Sequence, residues 1–128
     1  MRGSVLLIED EPDIRESVAD ALEIEGVKVL TASNGREGIE LLKTIPAPDL
    51  ILLDLWMPVT NGWEFLDLKK GDRRLAPIPT VLLSAYPVPN EHEGVEGFIK
   101  KPIDLDALLA TVNKFCTAPE QEATKPNR

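Results

Sequence analysis

A chain of 128 residues with 43% apolar side chains and a net charge of −8 has the size and hydrophobic content of one compact domain. With 22 acidic against 14 basic residues and no basic stripe, direct binding to nucleic acid or an anionic membrane is electrostatically disfavoured. The single cysteine, Cys116, excludes an intramolecular disulfide framework and a cysteine-based zinc site, and fits a reducing cytoplasm.

No apolar run approaches the ~20 residues of a membrane-spanning helix. The opening MRGSVLLIED is not a secretory signal, because its apolar stretch is short and acids follow at once. The charge is unevenly placed: residues 1–25 hold eight acids against Arg2 and Arg15.

In chain order, the apolar run Val5–Ile8 predicts a first strand. Ile14, Val18, Ala21 and Leu22 then follow helical spacing, and Gly26 ends that helix. Lys28–Ala32 reads as a weaker strand. Asn34 and Glu37, three apart as in a capping box, open a second helix that buries Ile39 and Leu42. Leu50–Leu53 is a third strand, followed by a helix from Gly62 to Lys70 that uses Trp63, Leu66 and Phe65. Val81–Leu83 is a fourth strand and Gly97–Lys100 a fifth, weaker one. A last helix starts at Asp104, a good N-cap, with Leu105, Leu108, Leu109, Val112 and Cys116 on one face.

Continuous rather than alternating apolar strands, separated by helices, predict an α/β parallel sheet with right-handed crossovers. The folded domain is expected over residues 1–116. Residues 117–128 have two prolines and no large apolar residue, and are expected to be a disordered tail.

Function in such sheets gathers at the carboxyl ends of the strands. The first run ends in Glu9-Asp10, the third in Asp54, the fourth in Ser84 and the fifth in Lys100-Lys101-Pro102. Three carboxylates crowded together resist joint ionisation unless a cation joins them. An all-oxygen set without His or Cys favours Mg²⁺ over zinc. Lys101 supplies a point charge and Ser84 a neutral donor, which suit a phosphoryl group, and a carboxylate can form an acyl-phosphate. The chemistry inferred is Mg²⁺-assisted phosphoryl transfer onto an aspartate.

Four segments in order, VLLIEDEPDIR (Val5–Arg15), PDLILLDLWMP (Pro48–Pro58) with Gly62 following, VLLSA (Val81–Ala85) and FIKKP (Phe98–Pro102), strongly resemble the receiver domain of two-component response regulators. The resemblance spans residues 4–116 and places the chain in the CheY-like superfamily. It implies a doubly wound, flavodoxin-like five-stranded parallel sheet of order 2-1-3-4-5. It further implies that Asp54 accepts the phosphoryl group, that Asp10 binds Mg²⁺ (or Mn²⁺ in its place), and that Glu9 helps to position the ion. The backbone carbonyl of Trp56 is implied as a further metal ligand. Ser84 and Lys101 would contact phosphoryl oxygens, Phe98 would be the switch aromatic that moves with Ser84, and a cis bond is expected before Pro102. The phosphoryl donor would be a histidine kinase or histidine phosphotransfer protein, meeting the domain near Ile14, Pro102 and Ile103, with an unidentified protein downstream.

The chain departs from the family pattern in one stretch. Ser84 and Lys101 are 17 positions apart, shorter than usual by at least about one helical turn. The intervening Pro87, Pro89, Gly94 and Gly97 are poor material for a helix. The helix between the fourth and fifth strands is therefore expected to be short, distorted or absent. Trp56 and Tyr86 lie two residues after Asp54 and Ser84, positions that tend to influence phosphoryl loss in this family. Two bulky aromatics there are expected to hinder in-line water and slow self-dephosphorylation.

Most other features have plain structural readings. Pro58 and Gly62 shape a loop, His92 is solvated, Cys116 fills the core, and the acids from Asp13 to Glu25 form a solvated helix face. The overall expectation is a cytoplasmic switch that catalyses its own phosphorylation and dephosphorylation rather than a turnover enzyme. It would be either free-standing or part of a larger regulator or hybrid kinase, with no DNA-binding unit in residues 117–128. Two rivals are a pseudo-receiver acting without phosphate and a Mg²⁺-dependent phosphohydrolase. Trp56, where that enzyme would place a second catalytic aspartate, counts against the latter.

Overall fold

The computed structural model describes residues 2–56, 61–86 and 94–116. In chain order these form β1 (Ser4–Ile8), α1 (Pro12–Ile24), β2 (Lys28–Ala32), α2 (Gly35–Leu42), β3 (Leu50–Asp54), α3 (Gly62–Lys70), β4 (Thr80–Ser84), β5 (Gly97–Lys100) and α4 (Leu105–Cys116). All strand pairs are parallel, in the order β2-β1-β3-β4-β5.

The continuous apolar strands are explained by two-sided burial. Val5, Leu7, Leu50, Leu52, Val81 and Leu83 point to one layer, where they meet Val18 and Leu22 of α1 and Leu108, Val112 and Cys116 of α4. Their alternates Leu6, Ile8, Ile51, Leu53 and Leu82 point to the other, against Leu42 of α2 and Phe65 and Leu66 of α3. Right-handed crossovers require this split when a chain moves first to the edge at β2 and then back through β3 to β4. Each core leucine withdrawn from water contributes roughly 1.5–3 kcal/mol.

Local chemistry sets the helix ends. Gly26 takes φ 94° just beyond α1, a left-handed conformation that suits glycine. Asn34 caps α2 by accepting the Glu37 N–H at 2.8 Å. The reciprocal half of the expected box is displaced by one residue, because Glu37 Oε1 accepts from the N–H of Ser33 at 2.7 Å rather than from Asn34. A complete capping box occurs instead at Asn61 and Glu64, opening α3. Gly62 packs against the β3 exit so closely that a Cβ would lie 2.8 Å from Leu55 Cα.

One expectation changes. Leu105, placed by spacing on the buried face of the last helix, is half exposed, because it lines an open groove with Ile14, Pro102 and Ile103. Between β4 and β5 no helix occurs among the described residues; 87–93, where a shortened helix would fall, lie outside them, as do Pro58, His92 and the expected tail 117–128. The Lys101–Pro102 bond is cis, as expected. No helix among the described residues is long and apolar enough to cross a membrane.

Candidate functional site

Because the strands are parallel, their carboxyl ends share one edge, and the polar residues that follow the apolar runs meet there. Glu9 extends the β1–β2 ladder by one bond, its N–H donating to Ala32 O at 3.0 Å. Its side chain is fully buried. Oε2 accepts from the Glu11 N–H at 3.2 Å, and Oε1 lies 2.8 Å from Lys101 Nζ. Asp54 is the last residue of β3 and only 3% exposed. Its Oδ1 accepts from the Trp56 N–H at 3.3 Å and lies 3.5 Å from Lys101 Nζ. Lys101 is set at its base by its own N–H, which donates to Ser84 O at 2.9 Å and prolongs the β4–β5 ladder.

One carboxylate oxygen from each of Glu9, Asp10 and Asp54 falls within 4.8 Å of the others. The electrostatic consequence is strongest at Asp54, whose pKa is pushed up to about 8. Burial is the largest cause, followed by hydrogen bonding with Asp10 and the Glu9 charge, against the opposing pull of Lys101. Burial would lower the Lys101 ammonium, but Glu9 first and Asp54 second hold it above the usual lysine range.

Whether these residues suit a divalent cation can be judged from the cluster itself. One ammonium cannot neutralise three carboxylates. Glu9 Oε1 has the Lys101 charge beside it but no well-directed hydrogen bond among the described residues. A buried acceptor with spare capacity beside two further carboxylates is a hard, all-oxygen donor set, and it fits Mg²⁺.

Around this centre, Ser84 is buried at the end of β4, but its hydroxyl faces its own loop. Oγ donates to Tyr86 O at 2.9 Å and accepts the Tyr86 N–H at 3.1 Å. Trp56 and Tyr86, on the loops leaving β3 and β4, are 52% and 65% exposed. Phe98 lies in β5 opposite Leu82 and is 44% exposed. The polar cluster thus contains Glu9, Asp10, Asp54 and Lys101. Ser84 stands at the same edge with its hydroxyl engaged elsewhere, and the three aromatics present exposed surface. Beside Lys101 runs an apolar groove of about 430 Å³, lined by Ile14, Val18, Ala21, Pro102, Ile103 and Leu108.

Two polar residues were not singled out from the sequence. Arg15 Nη1 in α1 donates to Glu9 O at 2.9 Å and reaches Asp10 O at 3.5 Å. Its signal was available: it is the only basic residue between Arg2 and Lys28, one turn into the helix after the acidic pair. Lys69 in α3 is 2% exposed and donates to Ala76 O at 2.9 Å. Its position beside Lys70 in a basic-looking helix end offered no such sign.

The family model for the response regulator receiver domain matches residues 5–113. The response regulator Rre1 of Synechocystis sp. is 36% identical over 118 residues, which are 88% of this chain and 51% of Rre1, so the chain spans about half of that relative. The polar-differentiation response regulator DivK of Brucella anthropi is 29% identical over 120 residues, 90% of this chain and 97% of DivK. Among solved structures, the chemotaxis protein CheY4 of Vibrio cholerae matches with a TM-score of 0.82 and 28% identity, covering 90% of this chain and 99% of that one.

Proposed function

The chain belongs to the response regulator receiver domain family, and on that premise we propose that it is a phosphorylation-dependent signalling switch with Asp54 as the phosphoryl acceptor. The observation that carries this reading is the position of Asp54. A carboxylate at the end of a central strand is enclosed with two other carboxylates and faced by a lysine 3.5 Å away. Such a group is unfavourable as a purely structural element and suited to receiving an electrophile.

In the proposed reaction an Asp54 carboxylate oxygen attacks the phosphorus of a phospho-histidine. The P–N bond breaks, and the departing imidazole takes its electron pair and a proton from solvent. A bound Mg²⁺ would supply positive charge to offset the crowded anionic oxygens. Glu9, Asp10, Asp54 and the Trp56 carbonyl are the groups that would hold it, with Mn²⁺ as a substitute. Lys101 turns from its ion pair with Glu9 toward a phosphoryl oxygen. Ser84 exchanges its hydrogen bond to Tyr86 O for one to the phosphoryl group, and Phe98, half exposed before the change, moves inward with it.

The donor is a histidine kinase or a histidine phosphotransfer protein. Its helical surface is matched by the apolar groove from Ile14 to Ile103, which opens next to Lys101. The output is contact with a downstream protein in the cytoplasm, with no direct role for nucleic acid or membrane. The domain catalyses its own phosphorylation and dephosphorylation, but works as a switch.

Intact mass after incubation with acetyl phosphate and MgCl₂ tests the proposal. A single phosphate adduct on the parent, lost in Asp54→Asn, is expected. If neither acetyl phosphate nor a phospho-histidine donor yields an adduct, the switch reading is wrong and a phosphate-independent interaction module replaces it.

A further inference from the structure

We propose that Arg15 is a positioning residue for the cation site, holding the carbonyl oxygens of Glu9 and Asp10 so that both carboxylates are presented from one backbone conformation. The inference rests on the reading of Glu9 and Asp10 as cation-holding residues. The link from β1 to α1 consists of Glu9, Asp10 and Glu11, and all three are acidic. The helix it enters has no side-chain N-cap: Glu11 occupies the cap position without a capping bond, and Pro12 follows at the first helical position. The usual means of pinning such a link is therefore missing.

Arg15 supplies the pin from inside the helix. Its own N–H bonds Glu11 O at 2.9 Å, which sets its base one turn along. Its Nη1 reaches back to Glu9 O at 2.9 Å and Asp10 O at 3.5 Å. Successive carbonyls drawn toward one guanidinium nitrogen restrict the dihedral angles of the peptide unit between them. With the β-ladder bond from the Glu9 N–H to Ala32 O and the Glu11 N–H bond to Glu9 Oε2, the link is held on both sides.

The choice of acceptor matters. Both Nη1 contacts go to carbonyl oxygens, which leaves the Glu9 and Asp10 carboxylates for a cation. Lys101 approaches the same cluster from the carboxylate side. Both contacts come from one nitrogen on a stiff planar guanidinium, whereas a lysine carries its rotatable donors on a shorter, flexible stem. Outer residues that orient metal ligands typically change metal affinity by about 10–100-fold.

Isothermal titration of the parent, Arg15→Ala and Arg15→Lys with MgCl₂, together with amide NMR of the cation-free proteins, tests the assignment. Arg15→Ala is expected to weaken Mg²⁺ binding by about tenfold. Its Glu9, Asp10 and Glu11 amide resonances should move while those of β3 stay in place. Arg15→Lys is expected to recover part of the affinity. Parent-like Mg²⁺ affinity in Arg15→Ala overturns the proposal, and full recovery by Arg15→Lys with the Glu9, Asp10 and Glu11 amides still displaced overturns it too, since charge alone would then suffice. Unmoved amides in cation-free Arg15→Ala overturn the assignment while leaving the cation reading intact. A parent that takes up no Mg²⁺ removes the cation reading and this role with it.

Discussion

The two ends of β3 each carry an aspartate, and the two have opposite characters. Asp49, just before the strand, is exposed, and its Oδ2 accepts the Ser4 N–H at 2.9 Å. Asp54, at the other end, is buried among like charges, and its pKa is pushed up to about 8. Residue type and strand are the same. Water and a hydrogen-bond donor make the first a splice between strands, while burial beside Glu9 and Asp10 makes the second a group in need of a cation or an electrophile. Frustrated charge therefore marks the end of this sheet where we place the function, and satisfied charge marks the structural end.

The largest effect expected from breaking this contrast is on the phosphate adduct. Asp54→Asn should abolish it, whereas Asp49→Asn, which keeps an acceptor for Ser4, should retain it by intact mass.

Next in size is a pH effect on stability in EDTA. The folded state holds the Asp54 proton up to about pH 8, while the unfolded chain releases it near 3.8. The folded form thus binds more protons throughout that window. Stability should fall by several kcal/mol in total as pH rises from about 4 to about 8. Urea denaturation at a series of pH values measures this. A slope no flatter in Asp54→Asn than in the parent would assign the effect to other groups.

Lys101→Met leaves the buried Glu9 carboxylate without its ion-pair partner. About 3 kcal/mol of stability should be lost at pH 7 without cation, and part of it regained on adding MgCl₂. Denaturation midpoints with and without the ion would reveal it, and equal losses under both conditions would argue against a shared site.

The smallest effect concerns the rim. Trp56→Ala and Tyr86→Ala are each expected to shorten the phospho-Asp54 half-life by roughly threefold, under 1 kcal/mol of barrier. An unchanged half-life in both variants would sink the shielding idea.

Much of the fold was legible in local pattern. Short apolar runs bounded by polar residues predicted every strand, and Gly26 and Asn34 announced helix ends. Of the site, Glu9, Asp10, Asp54, Ser84 and Lys101 were readable as residues that follow strands. What local pattern could not supply were contacts between distant segments. Arg74, from the loop after α3, donates Nη1 to Leu42 O at 2.6 Å and Nη2 to Ile45 O, so it caps α2 from 29 or more positions away. Leu105 fits an apolar helical stripe by spacing yet lines an open groove. Lys69, a surface residue by type, is buried because its ammonium finds Ala76 O.

The sequence by itself determined the alternation of buried strands and amphipathic helices and the residues at each strand's carboxyl end, because these follow from side-chain order over a few neighbours. Only the tertiary structure decided that Lys101 lies nearer Glu9 than Asp54, at 2.8 against 3.5 Å, and that the Ser84 hydroxyl is turned to Tyr86. The same holds for the Arg15 guanidinium reaching the Glu9 and Asp10 carbonyls and for the raised Asp54 pKa. Those properties depend on sheet register and on how far water is excluded, and both arise only when segments far apart in the chain are packed together.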